Sequence, residues 1–131
     1  MVRRITGRQI IIDHNLPAVL TLVLTPDAEL RYVAIVGLMQ RQKQVTFQLQ
    51  DGARLNVATL VWGQGTDLLQ VDYTIAHQGK ATTAMTLVKG VLYDTARADI
   101  AGLIRIAPTG NLTESFLEQR ALLLSDGARA N

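Results

Sequence analysis

Residues 44–50, QVTFQLQ, place Val45, Phe47 and Leu49 on one side and Gln44, Thr46, Gln48 and Gln50 on the other. This is the period-two pattern of a strand with one face in a core. LLQVDYTIAH, residues 68–77, sets Leu69, Val71, Tyr73 and Ile75 against Gln70, Asp72, Thr74 and Ala76. ADIAGLIRIAP does the same with Ile100, Gly102, Ile104 and Ile106 against Asp99, Ala101, Leu103 and Arg105. Val, Ile and Thr, the residues most at home in strands, make up about a quarter of the chain. A helix competes only in TESFLEQRALLLSD, where Thr113 is placed to cap and Phe116, Leu117 and Ala121 to face a core. The run ALLLS within it reads equally as a buried strand, and the strand ranks ahead.

Turn signals punctuate these runs at Pro26–Asp27, Asp51–Gly52, Gly63–Gly65, Gln78–Gly79, Asp94–Thr95, Thr109–Gly110 and Asp126–Gly127. From Asp51 onward they fall roughly 12 to 17 residues apart, longer than the steps of a simple meander. One turn recurs: DGAR at Asp51–Arg54, DTAR at Asp94–Arg97 and DGAR again at Asp126–Arg129. In a repetitive architecture, where each pass of chain stacks on the last, such a turn is reused at one corner. Its Asp is expected to accept hydrogen bonds from backbone amides just ahead of it. Gly tolerates positive φ, Ala fits where passes lie close, and Arg points to water. On turn residues alone, repetition and coincidence in an Ala- and Arg-rich sequence weigh equally.

Composition narrows the function more than the fold. The 131 residues, 48% hydrophobic, suffice for a single domain over 1–131 with its own core. The net charge of +2 comes from 13 basic and 11 acidic residues, too small an excess to imply a nucleic-acid surface. There is no cysteine, which removes disulfides, thiolate metal sites and cysteine nucleophiles together. The arginines ahead of apolar residues at the start resemble a signal peptide only superficially. Asp13, His14 and Asn15 split the run, and no stretch is long enough to span a bilayer. A soluble, cytoplasmic protein is expected, with no membrane partner.

The segment Lys89 to Ala130, KGVLYDTARADIAGLIRIAPTGNLTESFLEQRALLLSDGARA, resembles the SufB/SufD family of iron–sulfur cluster assembly proteins. The similar pieces are the KGVL strand, a small-residue turn, xGxIRIAP, a Thr-containing turn and xxRxLLLSxxAxA, in order over some forty residues. Upstream, VDYTIAHQGKATTAMTLVKG looks like the preceding pass, with a His near a strand end before its KG. Residues before about Asp51 match only in general β character. The resemblance implies an all-β, right-handed parallel β-helix of flattened coils. It also implies homo- or heterodimers made by joining β-helices, and assembly with an ATPase. The family chain continues past this motif into a Cys/His–Gly–Ala segment and a helical region that engages the ATPase, whereas this sequence ends at Asn131 without a cysteine. What the resemblance implies here is the scaffold, without the cluster site.

Individual residues add little catalytic chemistry. His77 ends an alternating strand with no second ligand nearby in sequence, so it reads as a structural side chain. His14 reads as part of a turn. Ser125 and Asp126 with His77 lack a nucleophile elbow. The GQG of Gly63–Gly65 lacks the Lys and Ser/Thr of a phosphate loop, and the sequon Asn111–Thr113 is idle in a cytoplasmic protein. Arg3, Arg4, Arg8, Arg41 and Lys43 read as solvated charge, and Tyr32, Phe47, Trp62 and Tyr73 as too scattered for a stacking platform. No catalytic, metal-binding or cofactor-binding residue is assigned, and no enzyme is expected. The apolar C-terminal strands, Ala101 and Leu103 with Ala121–Leu124, would leave an end coil uncovered. A homodimer through those strands is therefore expected, with other iron–sulfur assembly components as further partners. The alternative is an all-β barrel or sandwich that binds single-stranded nucleic acid.

Overall fold

Parallel strands cannot be joined by a tight hairpin, so a chain that pairs only in parallel must cross over between every pair of neighbours. The computed structural model, which describes residues 1–13, 15–37, 40–108 and 111–131, solves this by winding. Its strands are β1 (Val2–Ile5), β2 (Arg8–Asp13), β3 (Val19–Leu24), β4 (Glu29–Val36), β5 (Gln42–Leu49), β6 (Arg54–Gly63), β7 (Leu68–His77), β8 (Thr83–Leu92), β9 (Arg97–Ile106), β10 (Glu114–Leu123) and β11 (Arg129–Ala130). Odd strands form one sheet in the order β1-β3-β5-β7-β9-β11, and even strands form a second in the order β10-β8-β6-β4-β2. Every pairing is parallel. Each coil gives one strand to each sheet, and the strand in one sheet is the crossover for the other. This is a β-solenoid, and it excludes the barrel or sandwich. Residues 114–123 are strand, so the helical alternative falls away. The described residues contain no helix, hence none long and apolar enough to cross a membrane.

The period-two patterns face as expected. Val45, Phe47 and Leu49 are fully buried, as are Leu69, Val71, Tyr73 and Ile75 on the next coil. Inward positions align in columns along the solenoid axis: Phe47 sits beside Leu22 and Ile75. The coils grow as the chain proceeds. Val2 lies beside Thr21, an offset of 19 residues, and Arg97 beside Arg129, an offset of 32. Strands lengthen in step, from 4 residues in β1 to 10 in β6 through β10.

The recurring turn corrects the expectation in two ways. Its Ala does point inward: Ala53, Ala96 and Ala128 are buried, and Ala28 holds the same place in Pro26–Ala28. In all four, the Ala amide donates to the carbonyl three residues back, closing a tight turn. The copies do not share one corner, however. Asp51 lies between β5 and β6, whereas Asp94 and Asp126 lie at the opposite corner, where a strand of the even sheet leads into one of the odd sheet. Only the last two copies stack, with Arg97 beside Arg129. The second correction concerns the carboxylates, which bond to neighbouring coils and not to the amides just ahead. Asp51 Oδ1 accepts from the Lys80 amide at 2.9 Å, and Asp94 Oδ2 from the Gly65 amide at 2.9 Å. The turn's acid is thus a tie between coils, because stacked corners bring the next coil's amides closer than the chain's own. The Thr109–Gly110 turn and His14 lie outside the described residues.

Candidate functional site

Three places gather chemistry. The first is the terminal coil. Leu92 and Leu123 occupy one inward column, yet Leu92 is fully buried and Leu123 is 47% exposed. Ile106 stands in the column of buried His77 and is 57% exposed. These side chains point along the core with no coil beyond them. The edge of β10 is open along its length, because only β9 receives β11, and only at Arg97 and Ala98. The opposite end of the solenoid differs. Its inward positions are Arg3 and Ile5 in β1 and Gln9, Ile11 and Asp13 in β2, of which Ile5, Ile11 and Asp13 are buried.

The second place is a polar niche around His77, which is 1% exposed. Its Nδ1 and the Thr82 hydroxyl lie 2.7 Å apart, and Thr82 continues to the Thr113 hydroxyl at 3.3 Å. Burial lowers the His77 pKa below its ordinary value, so the ring is held neutral. Its Nε2 has no hydrogen-bond partner. No group of three His, Asp or Glu side chains able to hold a metal occurs among the described residues. His77 is thus a buried ring held to Thr82 through Nδ1. Its titration sets a test. The unfolded chain binds a proton below the ordinary histidine value while the folded chain resists it, so stability falls as pH drops through that range. The unfolding free energy from urea titrations should decline on the acid side with a slope approaching about 1.4 kcal/mol per pH unit, and His77→Gln should flatten that decline.

The third place was missed in the sequence. Lys43 is buried inside the core and paired with the buried Asp13. Its ammonium also donates to the carbonyls of Leu16 at 3.2 Å and Pro17 at 3.0 Å. Asp13 in turn accepts from the Tyr32 hydroxyl and from the Leu16 amide at 3.0 Å. All three ammonium donors are used, so the cluster is a clip between β2, β4, β5 and the corner after β2. Tyr32 is pushed above the ordinary tyrosine value by burial first, then by Tyr73 and by its bond to Asp13. A signal was present: Lys43 shares parity with Val45, Phe47 and Leu49, and Asp13 with Ile11.

The remaining candidates do not assemble. His77 ends β7 at one corner, while the Ser125 hydroxyl accepts the Asp94 amide at the other, a full ten-residue strand of about 33 Å away. Gln64–Asp67 is a turn, with Gly65 at positive φ. The basic group is dispersed: Lys43 is internal, contrary to the expectation of solvated charge, and Arg41 pairs with Asp67 at 3.4 Å. The aromatics are also not scattered as expected. Tyr32, Phe47 and Tyr73 meet edge-to-face inside the core, with centroids 5.4, 5.8 and 6.4 Å apart. Those three rings are unavailable to bases, while Trp62 is partly exposed and packs against Tyr93 at 5.5 Å.

Among known families, the model of the SufBD core domain, described as SUF system FeS cluster assembly, matches residues 17–131. The match extends well upstream of Asp51, where the sequence showed only general β character. No curated protein matches the chain significantly. The parallel solenoid, with its KGVL strand in β8 and IRIAP motif closing β9, is what such a match requires, and this chain belongs to the SufBD core-domain family of the SUF iron–sulfur cluster assembly system.

Proposed function

We propose that this chain is a non-enzymatic scaffold in SUF-type iron–sulfur cluster assembly, working in the cytoplasm as a homodimer joined through its C-terminal coil. The observation that carries the reading is the exposure of the inward side chains Leu123 and Ile106 at the C-terminal coil. A solenoid end with apolar columns and an open edge is stable when a second chain continues it.

The β10 sequence favours a second copy of the same chain. If two β10 strands run antiparallel about Gln119, Glu118 of one copy faces Arg120 of the other, twice over. Phe116 then meets Leu122, and Leu117 meets Ala121. The cluster would be cargo whose ligands come from another component, since these 131 residues hold no cysteine.

Light scattering at micromolar concentration should give a dimer. Arg120→Glu should raise the dissociation constant at least ten-fold, and Glu118→Arg with Arg120→Glu should restore it. A monomeric wild type sinks the pairing. The role in assembly is tested by co-purification from the native cells. Recovery of a SUF-type ATPase or a cysteine-bearing relative supports it, and iron retained by this chain alone contradicts it.

A further inference from the structure

The two outer faces of the solenoid differ. At mid-solenoid the odd sheet shows water a ladder of Thr21, Thr46 and Thr74, with the exposed apolar groups Val19, Leu68 and Leu103 lying singly around it. The even sheet instead exposes Ile10, Ile12, Ile35, Met85, Phe116 and Leu122, each at least 48% exposed. Parallel sheets seldom leave such a face bare.

On that face a groove of 720 Å³ crosses the starts of all five even strands. One wall is the row Arg8, Glu29, Arg54, Thr83 and Glu114, and the other is Ile10, Arg31, Asn56, Met85 and Phe116. Five strands at their ordinary spacing span about 19 Å, and the two walls stand two residues apart on each strand, about 6.6 Å. A helix, about 10 Å or more across, is too wide for it, whereas one extended chain of about six residues fits.

The charges along the walls select the chemistry of that chain. Arg8 and Glu29 pair with each other at 3.2 Å. Arg31 and Arg54, one strand apart on opposite walls, are exposed and make no ion pair among the described residues, Glu29 beside Arg54 being engaged by Arg8 and Glu114 lying at the far end on β10. Ile10 lies to one side of them, and Met85 and Phe116 to the other. We propose that this groove binds an extended peptide segment of a partner protein, with an acidic residue at its centre between Arg31 and Arg54 and apolar residues at both ends. The inference goes beyond the dimer and shares only its last strand with it: Glu114 and Phe116 of the groove lie on β10, whereas Arg31, Arg54 and Met85 lie on inner strands of the sheet.

The test uses the intact protein and two fluorescein-labelled heptapeptides, apolar at both ends with either two glutamates or two lysines in the middle. Fluorescence anisotropy at low salt should show the acidic peptide binding at least ten-fold tighter. The methyl resonance of Met85 should shift on titration while that of Met1 stays. The double variant Arg31→Glu, Arg54→Glu, both changes on exposed side chains, should abolish the preference without altering the urea midpoint by more than a small amount. Equal binding of the two peptides, an unmoved Met85 methyl, or a preference that survives the double reversal overturns the proposal.

Discussion

Lys43→Met is expected to lower stability by about 3–5 kcal/mol, the cost of leaving a buried charge without its partner. Asp13 and Lys43 are both almost fully buried, so water cannot replace the lost ammonium. The variant also strips a donor from the carbonyls of Leu16 and Pro17, which anchor the corner after β2. Urea denaturation followed by circular dichroism measures the loss. A second variant separates charge from packing. Asp13→Asn with Lys43→Met keeps an acceptor for the Leu16 amide, turns an NH2 donor toward the Tyr32 hydroxyl oxygen, and removes the isolated charge. It should therefore be more stable than Lys43→Met alone. A double variant as unstable as the single one would place the effect in packing and not in electrostatics.

The second large effect is expected from Phe47→Ala. Phe47 is fully buried between the rings of Tyr32 and Tyr73 and in line with Leu22 and Ile75 of the flanking coils. Emptying that position removes transfer energy and leaves a cavity that stacked coils cannot easily close, for a loss of about 3–5 kcal/mol. Edge-to-face contacts account for about 0.5–1.5 kcal/mol per pair of that total. Phe47→Leu, which refills most of the space, should lose clearly less in the same urea experiment. Because Phe47 and the Lys43 cluster share Tyr32, their losses should not add in a combined variant.

The clip and the aromatic cluster also mark where burial in the solenoid is deepest. Burial is complete by the middle coils, where Phe47, Tyr73 and Leu92 are inaccessible. The last coil adds long strands with inward apolar side chains but no coil to cover them. The middle coils therefore carry the deepest burial, and the inward side chains of the last coil remain partly exposed.

Alternation by itself determined which residues are strands and which face inward, because side-chain direction in a strand depends only on parity. That is why Val45, Phe47, Leu49 and Tyr73 could be placed from the sequence, and why Lys43 and Asp13, sharing the parity of buried neighbours, carried a legible signal. The family was also legible, since its motif from Lys89 to Ala130 is continuous in the chain. Which strand lies beside which was not. Neighbours in a sheet are separated by a whole coil, and that separation grows from 19 to 32 residues, so no fixed period in the sequence encodes it. Only the tertiary winding therefore decided that Asp13 meets Lys43, that the three aromatic rings touch, and that the DGAR turns divide between two corners.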